Sequence, residues 1–184
     1  MIMDKDTKFK DWLVLAQLAG FKIEKFGRPS FVGSKETPRN LQGLTLGQLI
    51  SLSELDGTND SIYSICDTIL GLSREDVDDS RAVDVVRFVG WVSGEVDKIN
   101  RLFENAAINK PSQLEKQAGI ESLKFGLFGM LDWFAQRMRI QDHDKVLSIP
   151  WVRIYKCIDI DNKKMAYEIR LAKLRAEEVK RKSR

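Results

Sequence analysis

The sequence predicts an all-α fold: a helical bundle with a small extended or hairpin N-terminal arm and a long C-terminal helix. Three observations carry this. From Trp151 onward a ladder steps four, three, four, three through Trp151, Tyr155, Ile158, Asn162, Met165, Ile169, Ala172, Ala176 and Val179. That spacing holds one narrow stripe on one side of a helix. Two earlier stretches repeat the spacing, through Val85, Val89, Val92, Val96, Ile99 and Phe103, and through Leu123, Leu127, Leu131, Phe134 and Met138. Between the apolar runs lie helix starts (Thr45, Thr58, Ser73, Ser80) and stops (Gly20, Gly57, Gly71).

Taken in order, Phe9 to Leu18 reads as a short helix with Trp12, Leu15, Ala16 and Ala19 on one face and Gly20 as its stop. Phe21 to Asn40 contains Gly27, Pro29, Gly33 and Pro38. Phe21 and Ile23 are expected to pair with Phe31 and Val32 around Gly27-Arg28-Pro29, or the segment stays an extended arm. Thr45 caps a helix through Leu55, Thr58 or Asn59 caps one closed by Gly71, and Ser73 caps a single turn leading to Val77. Ser80 opens a longer helix to about Asn105, with Gly90 and Gly94 spaced for a close helix crossing. Ala106 to Ser112 is the expected linker. Ile120 to Arg139 reads as a second apolar helix, with Gly126 and Gly129 again permitting close approach. Asp142, His143 and Asp144 mark a turn, and Ser148 and Pro150 begin the last helix. The expected parts are residues 1–40, 41–147 and 148–184. At 1.5 Å per residue the last helix is about 50 Å long and should project from the rest. Asn162 in its stripe either fixes the register of a paired helix or marks a break near Asp161-Asn162.

With 184 residues and 43% apolar composition the chain has enough material for a core. Its net charge of +3 hides an asymmetry. Lys163 to Arg184 holds nine Lys or Arg against three Glu, a local +6, so the remainder sums to −3. A whole-protein nucleic-acid binder is not expected from such a balance, and the basic end has no aromatic residue among Lys180 to Arg184 for base stacking. Cys66 and Cys157 stand apart, without a CxxC pair or a His at metal spacing, and read as reduced core residues. The most apolar run, Phe125 to Leu131, is far below the roughly 20 residues that span a bilayer. No membrane contact and a cytoplasmic setting are expected.

No residue set converges on chemistry. His143, the one histidine, lies between Asp142 and Asp144 and forms neither a triad nor a facial metal site; a solvated loop residue is expected. Asp159-Ile160-Asp161-Asn162 begins like a calcium loop, but Lys163, Lys164 and Arg170 occupy its fifth, sixth and twelfth positions. Asp76, Asp78, Asp79 and Asp84 suit helix starts. Gly43-Leu44-Thr45-Leu46-Gly47 lacks the Gly-Lys-Ser/Thr ending of a phosphate loop. The chain is therefore expected to be no enzyme, with no catalytic residue, metal or cofactor. The residues expected to meet a partner are Trp151, Tyr155, Ile158, Asn162, Met165 and Ile169, on a stripe suited to binding another helix.

The middle of the chain resembles a known group. Leu44-Thr45-Leu46-Gly47-Gln48-Leu49-Ile50 opens a helix; Ile69-Leu70-Gly71-Leu72-Ser73-Arg74-Glu75-Asp76-Val77 forms a junction; an acid-started helix with Phe88 and Trp91 follows. This order is similar to small tail-assembly proteins of tailed bacteriophages, of the tail assembly chaperone type, over about residues 44 to 104. The matching motifs are caps and helix stops, not reactive groups. The arm from Phe21 to Asn40 has no counterpart, and no family residue carries over one by one. The resemblance implies a non-catalytic protein of the host cytoplasm that coats a helical, tape-measure-like phage protein, with self-association as a further option. The rivals are a virion component of the head–tail connector or neck, contacting neighbouring subunits, and a nucleic-acid-binding accessory protein using the basic tail.

Overall fold

A computed structural model describes residues 6–19, 27–107, 113–119, 122–123 and 125–182. Its regular structure is helical apart from one two-stranded hairpin, as an all-α chain with a small arm requires. The chain divides into two compact units, Met1–Arg101 and Leu102–Arg184. The division falls inside a helix, and the expected boundary at 147/148 lies within the second unit.

The first unit opens with α1 (Phe9–Ala19). Phe9 and Trp12 are buried, with ring centroids 5.6 Å apart. The backbone before α1 is stitched to the turn before the fifth helix: the Phe9 amide donates to the Ser80 carbonyl and the Ala82 amide to the Thr7 carbonyl, each at 2.8 Å. The expected stop at Gly20 lies outside the described residues.

The hairpin differs from expectation. β1 (Phe31–Val32) pairs antiparallel with β2 (Lys35–Glu36), in the register Phe31 to Glu36 and Val32 to Lys35. The turn is therefore Gly33-Ser34, not Gly27-Arg28-Pro29; Phe21 and Ile23 lie outside the described residues. Gly33 decides the matter, because its φ of +55° suits the first position of a two-residue hairpin turn. A Cβ there would also stand 2.7 Å from the Ser80 hydroxyl oxygen. The rest of the described arm folds inward. Arg28 donates to the Thr37 carbonyl at 2.8 Å and to its hydroxyl at 3.1 Å, and the Thr37 hydroxyl donates to the Pro29 carbonyl.

Three short helices follow; two begin on capping boxes, whereas Thr58, at the start of the second, makes no side-chain cap hydrogen bond. In α2 (Leu46–Ser53) Thr45 and Gln48 form a reciprocal capping box. α3 (Asn59–Leu70) ends on Gly71 at φ 63°, the left-handed stop that glycine takes without strain. α4 (Arg74–Asp79) starts with a second capping box, Ser73 with Asp76. Ser80 does not cap the next helix as expected. Its hydroxyl turns back to donate to the Asp76 carbonyl at 2.7 Å, which closes α4. The next helix, α5 (Ala82–Ala107), starts with amides of Asp84 and Val85 on the Arg81 carbonyl. Its stripe is the centre of the core, with Val85, Phe88, Val89, Val92, Val96 and Ile99 all buried. No close crossing of the expected kind is found at Gly94 among the described residues, where a Cβ would meet nothing within 4 Å.

Acid sensitivity follows from the caps. The Ser73 hydroxyl and amide hold the Asp76 carboxyl below its usual range; the ammonium of Lys10, then that of Lys8, does so for Asp79; the Thr58 amide, with help from Ser61, does so for Asp56. A carboxyl whose value is depressed on folding binds its proton more readily when unfolded. Its stabilisation is full above the unfolded value of 3.8 and is lost as pH falls through the lower folded value. The melting temperature of the chain should therefore hold between about pH 7 and pH 5 and drop below about pH 4, as a pH series of thermal melts would record.

The second unit holds the end of α5, then α6 (Gln113–Gln117), α7 (Gly126–Met138), α8 (His143–Leu147) and α9 (Trp151–Lys182). α7 is shorter than the expected helix from Ile120, of which residues 120, 121 and 124 lie outside the described residues. Leu131 and Phe134 are buried as the stripe requires, but Leu123 and Leu127 are exposed. The two glycines here also differ from expectation. Gly126 has φ +55°, and a Cβ on it would meet nothing within 4 Å. Gly129 makes room for the Phe125 side chain one turn back, not for another helix. The expected turn at Asp142 to Asp144 is the capped start of α8, where the Asp142 carboxylate accepts from the Asp144 amide at 2.9 Å.

Candidate functional site

The ladder of α9 divides in two. α9 starts one residue after Pro150 and continues for 32 residues, about 48 Å, with no break at Asp161-Asn162. Trp151 is 6% exposed, and Tyr155 and Ile158 are half-buried. Phe103, on the last turns of α5, sits 6.1 Å from the Trp151 ring and 5.7 Å from the Tyr155 ring, centroid to centroid. Aromatic pairs at these distances hold the two helices together within this unit. From α7, Arg137 donates to both carboxylate oxygens of Asp161. Beyond Asn162 the picture reverses. Met165 is 48%, Ile169 51% and Val179 67% exposed, and Ala172 and Ala176 are exposed too.

Asn162 stands at the changeover. Its side-chain amide donates to the Ala106 carbonyl at 2.7 Å. Ala106 belongs to the last turn of α5, where carbonyls have no partner further along their own helix. Asn162 thus caps a neighbouring helix from the side, and this polar residue in an apolar stripe is engaged within the chain. Asn162→Ala should destabilise the second unit by about 1 kcal/mol, read as a shift in the denaturation midpoint, with the helical content of the folded state unchanged.

The exposed reach also has a second face. Tyr167 and Leu174 are exposed and Leu171 half-buried. At 100° per residue Tyr167 lies about 200° around the helix from Met165. The exposed part of α9 thus carries apolar residues on two opposite sides. This face was legible in the sequence as Tyr167, Leu171 and Leu174, a step of four and then three offset by two positions from the main ladder. Charge is spread between the two faces. Lys163 pairs with Asp159 and Lys182 with Glu178, both at 2.7 Å.

The other candidates have local work. His143 is not a solvated loop residue: its ring meets Phe128 edge-on at 5.1 Å, and its Nε2 is 3.6 Å from an Asp132 oxygen. Asp78 accepts from the Tyr63 hydroxyl at 2.7 Å, and Asp84 pairs with Arg81 at 3.2 Å. Burial and the Asp78 carboxylate push Tyr63 up to about 12. Asp159 and Asp161 are taken by Lys163 and Arg137. Cys66 is buried, and burial pushes its thiol up to about 12; Cys157 is half-buried, short of the core position expected for it. Among the described residues no group of three or more His, Cys, Asp and Glu side chains could hold a metal ion, and no helix is long and apolar enough to cross a membrane.

The exposed reach of α9 therefore has what helix docking needs: a regular apolar ladder on a continuous helix, open to solvent and anchored at its root. No family model, no curated protein and no solved structure matches the chain.

Proposed function

We propose that this chain is a non-catalytic bacteriophage assembly protein, of the tail assembly chaperone kind, that binds helical partner proteins in the host cytoplasm. The observation that carries the reading is the ladder of α9 passing from packed to exposed at Asn162. An amphipathic helix normally turns its apolar stripe to a core. Here Met165, Ile169 and Val179 turn theirs to water, and a helix lying along them would bury it. The middle-chain resemblance over about residues 44 to 104 supplies the assembly context.

The connector rival asks the N-terminal arm and the last helix to reach neighbouring subunits. Against a role for the arm, Val32 and Thr37 are buried and Gly33 lies against Ser80 within the same unit. A tagged pull-down from infected host cells, read by mass spectrometry beside the protein inventory of purified particles, tests the proposal. Capture of a long helical, tape-measure-like protein by a bait missing from particles supports it. Stoichiometric bait in finished particles would replace it with the connector reading.

A further inference from the structure

The exposed part of the α9 ladder is graded along its length. Its large residues, Met165 and Ile169, come first, and Ala172 and Ala176 follow. Met165 and Ile169 are about half exposed, at 48% and 51%, and both alanines are exposed. Laid antiparallel on itself, such a seam is its own complement. With Ile169 opposite Ala172 of a second copy, Met165 falls opposite that copy's Ala176, and the two-fold axis repeats both contacts the other way round. Each large side chain then meets a small one, which lets the helix axes approach. In a parallel pair in register, Ile169 would meet Ile169 and each alanine its own copy.

The charged edges choose the same register. In an antiparallel pair each edge of the seam runs beside the same edge of the other helix, and the charges there set orientation. Ile169 on Ala172 brings Glu168 against Arg175 of the second copy, and by symmetry Arg175 against its Glu168. On the other edge Lys173 meets Ala166, which adds no repulsion. A slip of one heptad sets Arg175 against Arg175 or Glu168 against Glu168, and a parallel pair sets Arg175 against Lys180. Like charges at such positions discriminate against those pairings. Glu168 and Arg175 are both exposed, and among the described residues neither is in an ion pair. Size and charge thus select one register independently.

We propose that the exposed reach of α9 docks on the same reach of a second copy, antiparallel, with Ile169 on Ala172 and Glu168 on Arg175. The pair needs no other protein, so it goes beyond the assembly reading; a partner helix binding the same seam would compete with it.

Sedimentation of the purified full chain over a range of concentrations tests this. A monomer–dimer equilibrium is expected, and Ile169→Asp should weaken it at least about tenfold. R175E places Glu against Glu at both crossings and should weaken it at least about fivefold; E168R with R175E restores opposite charges and should return it to within about twofold of the unchanged chain. Unchanged circular dichroism would verify folding of each variant. Orientation is read by oxidising a mixture of Ile169→Cys and Ala172→Cys proteins, with the unchanged chain, which has Cys66 and Cys157, as control. The mixture should cross-link well beyond either variant alone.

A chain that stays monomeric at millimolar concentration overturns the proposal. So does a dimer that Ile169→Asp leaves intact, one that R175E strengthens, as a parallel pair would be through Glu against Lys180, or cross-linking as strong in each cysteine variant alone. A monomer whose capture of a helical partner Ile169→Asp abolishes gives the seam to that partner and sinks this inference alone. The dimer as described, with the bait stoichiometric in particles, sinks the assembly reading alone.

Discussion

Ile154→Asp should unfold the second unit, or leave it so unstable that its thermal transition disappears. Ile154 is fully buried on the first turn of α9, beside the Trp151 and Tyr155 positions that meet Phe103. Truncating a buried isoleucine alone costs about 2–5 kcal/mol through lost transfer energy and the cavity left behind. A carboxylate in its place adds several kcal/mol, because it must be desolvated without a partner or take up a proton. Whole domains have only about 5–15 kcal/mol to lose. Circular dichroism and the near-ultraviolet signal of Trp151 would report the collapse. A cooperative melt within a few degrees of wild type would refute the assignment of this half of α9 to the core.

The same substitution on the same helix, fifteen positions further, should do the opposite. Ile169 is half exposed, so Ile169→Asp should change folding stability by no more than about 0.5 kcal/mol. It also puts an anion in the middle of the exposed seam. Capture of the proposed helical partner should fall by at least about tenfold, since a charge would be buried against apolar side chains at each encounter. Ile158 does not serve this purpose, because it is half-buried on the packed half and its loss would mix folding with binding. An Ile169→Asp protein with a wild-type melt and wild-type capture would show that α9 is not the contact surface.

The sequence was most readable where one residue decides a local conformation. Thr45 with Gln48 and Ser73 with Asp76 are boxes that close within four residues, and Gly71 ends α3 by the left-handed geometry only glycine takes freely. The stripes of α5 and α9 were visible because periodicity is a property of the helix itself. What escaped depended on distant contacts. Ser80 could cap forward or close backward, and its hydroxyl goes to α4. Gly94 and Gly129 looked like crossing points, but a glycine pattern does not say what lies opposite. The hairpin turn moved to Gly33 because two glycines competed for it and the approach to Ser80 favours the second. Most telling is the ladder, uniform in sequence from Trp151 to Val179 yet divided in space. Nothing in its spacing announces that Phe103 and the Ala106 carbonyl cover its first half.

That division makes α9 a helix of two stabilities. Up to Asn162 the helix is packed within its own unit; from Lys163 to Lys182 its side chains are exposed apart from half-buried Leu171, and pairs such as Lys182 with Glu178, each worth about 0.2–0.5 kcal/mol, support it. In proteins most helical stability comes from tertiary packing of an apolar face, so a stretch with less of it opens more readily. Hydrogen exchange should therefore be slow before Asn162 and fast after it, and a bound partner should slow the fast part. Any opening of this stretch would have to be reversed when a partner binds, which draws on the contact energy. On the proposed reading, a helical partner would be held over a long surface and yet released readily.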